Sequence, residues 1–113
     1  MEWIPPADID PEVVSLCRAV NAIKGIRTVS SCCGHGKIPF QIYFMARDLD
    51  SLPNLLYWLD ACHSGFQGWR CLVYTDCGKS PVTFLIEGPI GAYKEADKIA
   101  ELILEDIACT SVA

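Results

Sequence analysis

Two apolar rhythms alternate along this chain. Val13, Val14, Leu16, Cys17, Val20 and Ile23 recur at the spacing that lines one face of a helix. Asp10-Pro11-Glu12 supplies a start signal: a capping carboxylate, a proline suited to the first turn and an acid at the positive end of the dipole. Gly25 closes that helix, and Ile26 to Ser31 predicts a short strand. Phe40 to Ala46 then alternates, with Phe40, Ile42 and Phe44 on one side and Gln41, Tyr43 and Met45 on the other, which predicts a second strand. Leu52, Leu55, Leu56, Leu59 and Cys62 return to the helical period between Asp48 and Gly65. Trp69 to Asp76 and Val82 to Glu87 read as strands three and four, joined by the turn Cys77-Gly78-Lys79-Ser80-Pro81. Gly88-Pro89 breaks the chain again. Tyr93, Ala96, Ile99, Ala100, Ile103 and Ile107 form the stripe of a last helix from about Ala92 to Cys109, with 110–113 as a frayed tail.

The resulting order is α-β-β-α-β-β-α, a single α+β domain over 1–113 with no linker or low-complexity segment. The simplest architecture is a four-stranded, mostly antiparallel sheet with the helices packed on one face. The other face would carry Tyr43, Met45, Leu72, Tyr74 and Leu85 and is left to solvent or to a second subunit.

Composition sharpens this reading. A hydrophobic fraction of 51% and a mean hydropathy of +0.26 are high for so small a chain. They imply that some surface is covered by another chain, most simply a second copy in a homodimer. A net charge of −5 makes nucleic acid an unfavoured partner, since non-specific binding needs cationic side chains to replace counterions. No apolar run approaches the ~20 residues that span a bilayer. The first residues lack the basic and apolar stretches of a signal peptide. Together with an odd number of cysteines, seven, this predicts reduced thiols in a cytoplasmic protein. Cys17, Cys62 and Cys109 fall within helical patterns and are expected as small buried hydrophobes.

The chemistry concentrates in Ser30, Ser31, Cys32, Cys33, Gly34, His35, Gly36 and Lys37. Gly34 and Gly36 permit positive φ or close backbone approach to a ligand, and the amides of such a loop can form an anion-binding concavity. Three readings compete. One is a pocket for a small anionic or polar ligand, using Ser30, Ser31, His35 and Lys37. A second is a metal site built from Cys32, Cys33 and His35 with Cys77 or His63. The third is a reactive thiol, Cys33 or Cys32 beside His35 and Lys37. There is no Cys-x-x-Cys pair, so no metal is expected. No orienting carboxylate stands near, so Cys33 and His35 are only a candidate catalytic pair. The expectation is therefore ligand binding across Ser30 to Lys37, and the sequence names no cofactor. His63 is expected to favour a helix C-terminus, Glu87 to be a solvated strand end or a general base, and Trp58 and Trp69 to pack.

Two resemblances bear on the same residues. Gly25 to Phe44, with Ser31-Cys32-Cys33-Gly34-His35-Gly36-Lys37 followed by Pro39-Phe40, resembles a family of small uncharacterised bacterial and phage proteins, as does Phe84-Leu85-Ile86-Glu87-Gly88-Pro89. That resemblance implies no known activity. Ser30-Ser31-Cys32-Cys33-Gly34 and the helix-strand entry before it are more weakly similar to the methyltransferase family of wybutosine synthesis. That family's pattern has Ser where Cys33 stands and Arg where His35 stands. It would imply a nucleic-acid-modifying enzyme acting on a guanosine of transfer RNA with a methyl donor. A non-catalytic interaction module is the remaining class.

Overall fold

The computed structural model describes residues 3–76 and 79–112. Four strands form the expected sheet: β1 (Ile26–Cys32), β2 (Phe40–Ala46), β3 (Arg70–Asp76) and β4 (Lys79–Gly88). Their order is β1-β2-β4-β3 and all three ladders are antiparallel. Four helices accompany them: α1 (Val14–Ala22), α2 (Leu52–Leu59), α3 (Ala61–Ser64) and α4 (Tyr93–Val112).

The strand registers explain the layering. Ile42 lies opposite Ile86, and Phe44 opposite Phe84, so their side chains share one face. Leu16, Cys17 and Val20 of α1, Leu55 and Leu59 of α2, and Ala96, Ile99 and Ile103 of α4 are buried in the same core. Small residues at Ala96 and Ala100 suit close packing of α4 beside α1. The opposite face carries Tyr43, Tyr74, Leu72 and Leu85; the rings of Tyr43 and Tyr74 meet edge to face at 5.1 Å. Leu72 and Tyr74 remain exposed there, while Leu85 is buried among its neighbours.

Four local expectations are corrected. Asp10 does not cap the first helix: its side chain makes no cap hydrogen bond, and residues Pro11–Val13 form a 3-10 turn before α1. The second helical stretch is two helices, because Asp60 has ψ 129° and breaks the path between α2 and α3. That break shifts the phase of the stripe and leaves Cys62 exposed rather than buried. Cys109 is exposed too, on an α4 that continues to Val112. Of the three cysteines placed in helices, only Cys17 is buried.

One irregularity sets which face each residue at the end of β1 presents. Between Thr28 and Ser30 the β1–β2 register shifts, a β-bulge at Val29. Thr28 pairs with Phe44, but Ser30 pairs with Tyr43, Ser31 with Ile42 and Cys32 with Gln41.

Candidate functional site

β1 ends at Cys32, and the chain must then turn sharply to reach Pro39. It does so through three consecutive residues of positive φ: Gly34 at 81°, His35 at 53° and Gly36 at 74°. Glycine takes this conformation freely and histidine rarely. Among the described residues, His35 is the one non-glycine that does. Gly34 is further constrained, because a Cβ there would lie 2.9 Å from the Pro39 carbonyl oxygen.

Folding this tightly carries Cys33 inward. It is 1% exposed and belongs to the core. Its sulfur accepts the His35 N–H at 3.3 Å, and the Gly34 N–H points to the Cys32 sulfur at 3.4 Å. The Cys33 N–H donates to Oδ2 of Asp10 at 2.9 Å. The His35 ring bridges the same groups: Nδ1 lies 3.6 Å from the Cys33 sulfur and Nε2 lies 3.8 Å from Asp10 Oδ2. Asp10 is thus the carboxylate that sequence reasoning missed. Its local context reads as a helix start, and no local signal reports a contact across 23 residues.

The electrostatics follow from these contacts. The Cys33 N–H, and to a smaller extent His35, holds the Asp10 carboxyl below its usual range. Burial pushes the Cys33 thiol up, and the negative charges of Asp10 and Glu12 add to the effect. A resting nucleophile needs the opposite shift. Tyr93, at the start of α4, reaches the Cys33 thiol and the Gly36 backbone; desolvation and then Cys33 push its phenol up.

The eight loop residues do not converge on one point. Cys32, Cys33 and His35 gather around Asp10. Ser30 and Ser31 instead line a cleft of about 240 Å³ under the segment carrying Trp3, Pro6, Asp8 and Ile9. Ser31 stands beside Cys17 in that lining, and burial raises the Cys17 thiol to about 11. Lys37 is exposed, and its N–H closes the turn on the Gly34 carbonyl at 2.9 Å.

The other candidates lie elsewhere. Cys77, with Gly78, falls outside the described residues. His63 stacks on Tyr57 at 3.6 Å between ring centroids, and its Nδ1 lies 3.2 Å from the Tyr57 carbonyl oxygen. Glu87 ion-pairs with Arg70 across the β3–β4 ladder. Trp69 is buried with its indole N–H on Glu95, and the Trp58 indole N–H reaches Asp106. The cationic groups that an anion would seek stand at the far end of the β1–β2 ladder, where Arg27 and Arg47 line a hollow of about 400 Å³. Compared with family models, curated proteins and solved structures, the chain matches none.

Proposed function

We propose that the domain binds a small polar ligand, neutral or cationic, in the cleft between residues 3–9 and the outer edge of β1. The observation that carries this reading is the lining of that cleft: Ser30, Ser31, Asp8 and Trp3 stand around one hollow. β1 is an edge strand, so its backbone pairs with β2 on one side only. Its outer N–H and C=O groups can serve a ligand as strand groups serve a neighbouring strand. Asn21 already takes the Thr28 N–H at 3.0 Å, which leaves the stretch beyond Thr28 for recognition. A few convergent polar groups beside an aromatic ring are the usual equipment of a small-molecule pocket. Charge favours the neutral or cationic arm. Asp8 lines the cleft, Asp10 adjoins it, and Asp10 already occupies the Cys33 N–H that an anion would have used.

The test is an amide-shift survey. The labelled protein is screened against nucleosides, amino acids and polyamines, and the perturbed resonances are mapped. At least one compound should shift the amides of Val29 to Ser31 and the Trp3 indole, and Ser30→Val should weaken that response. Perturbations confined to Arg27 and Arg47, or none at all, would remove the proposal.

A further inference from the structure

Asp10, Cys32 and His35 each offer one ligand atom, and these three atoms lie within 4.8 Å of one another. They come from two chain segments and supply an oxygen, a sulfur and a nitrogen. We infer that they bind one divalent transition metal of the zinc class, with a fourth position open to water or another ligand. Zinc takes thiolate, imidazole and carboxylate donors alike, whereas calcium and magnesium avoid sulfur.

Proximity alone would not carry this, since a tetrahedral zinc shell needs donor separations of about 3.3–3.8 Å. The supporting contacts do. Each ligand is already oriented by a group outside the set. Asp10 Oδ2 accepts the Cys33 N–H at 2.9 Å. The Cys32 sulfur is met by the Gly34 N–H at 3.4 Å. His35 Nδ1 faces the Cys33 sulfur at 3.6 Å. An Nδ1–H given to that sulfur fixes the tautomer that leaves Nε2 free, and Nε2 is the atom near Asp10. Outer partners of this kind are how metal sites aim their ligands.

Poor spacing disfavours a metal held by Cys33 with Cys77 or His63, but this set is a different one. Cys33 acts as the buried outer partner, and Asp10 takes the ligand place. His63 belongs to no such cluster among the described residues. Asp10 and Cys32 are half-buried and His35 is exposed, so an ion can enter without unfolding the loop.

This site stands beside the cleft and does not depend on what the cleft binds. The test is titration of the reduced, chelator-stripped full-length chain with Zn²⁺ and Co²⁺. One equivalent should bind, raising the unfolding midpoint. The cobalt form should show a thiolate-to-metal charge-transfer band. Cys32→Ser should abolish that band, and His35→Asn, which keeps a residue tolerant of positive φ, should weaken binding at least tenfold. Cys62→Ser and Ser30→Val should leave both readouts unchanged, which separates this site from the cleft. Absence of saturable binding at one equivalent, or a band that survives Cys32→Ser, would overturn the assignment.

Discussion

Asp10, Cys33 and His35 have a compositional double in Asp60, Cys62 and His63. Each aspartate accepts a cysteine N–H, at 2.9 Å for Asp10 and 2.8 Å for Asp60. Each carboxyl is held down first by that bond and also by its histidine. The difference lies in chain distance: Asp60 and Cys62 are two positions apart, and Asp10 and Cys33 are 23 apart. The short-range set caps a four-residue helix, with Cys62 exposed and His63 stacked on Tyr57. The long-range set pins the chain's first segment to the end of β1, buries Cys33 and brings metal-ligating atoms together. Residue type supplies the chemistry, and the reach of the contact decides whether it becomes a cap or a cluster.

The two sets differ most in their glycines. Gly34→Ala meets both a positive φ and the Pro39 carbonyl, whereas Gly65→Ala, at φ 86°, meets open space. Denaturant unfolding should show a loss of about 2–4 kcal/mol for Gly34→Ala and about 1 kcal/mol for Gly65→Ala. Equal losses would mean that the Cys33 loop is no more constrained than the helix end.

The cysteines sharpen the contrast kinetically. With chelator present, Cys62 should alkylate freely, whereas Cys33 must wait for the loop to open. An opening of about 3 kcal/mol slows the reaction roughly a hundredfold. Cys17, buried like Cys33, should be protected in the same way, and half-buried Cys71, its thiol raised to about 11, should react slowly because little of it is thiolate. Peptide mapping after timed labelling would read all four. Cys33 labelling at the Cys62 rate would contradict its burial.

The smallest effect concerns the carboxylates. Asp10→Asn weakens a charge-assisted bond to an otherwise unpaired N–H and should cost about 1–2 kcal/mol at neutral pH. Because the folded pKa of Asp10 is lowered, its contribution is complete above the unfolded value of about 3.9 and is lost as pH falls through the folded one. The gap between wild type and Asp10→Asn should therefore narrow in acid. Asp60→Asn should show the same sign with a smaller amplitude. A gap that widens on acidification would refute the assigned bond.

The sheet and the outer helices are legible in the sequence because their signals are periodic. Phe40, Ile42 and Phe44 alternate into the core, and Ala96, Ile99, Ala100 and Ile103 hold the α4 stripe over about two turns. Features that depend on phase or on tertiary reach escape it. Cys62 reads in phase with Leu59, but the extended Asp60 lies between them. Asp10 satisfies a local start rule while its carboxylate is engaged elsewhere. Cys33 sits in a stretch whose glycines and polar neighbours signal a surface turn. The left-handed run from Gly34 to Gly36 folds that turn back on itself, and the thiol is buried.

The bulge at Val29 has a consequence for the chemistry three residues later. In an unbroken ladder from Thr28, Ser31 would fall opposite Gln41 and Cys32 opposite fully buried Phe40. The extra residue moves every later side chain to the other face. Ser31 turns in toward Cys17, and Cys32 comes out opposite Gln41, within reach of His35 and Asp10. Insertions and deletions in β1 are therefore not neutral spacers. An odd change exchanges the thiol that can meet an ion for one sealed in hydrocarbon, whereas an even change preserves the parity on which the cluster depends.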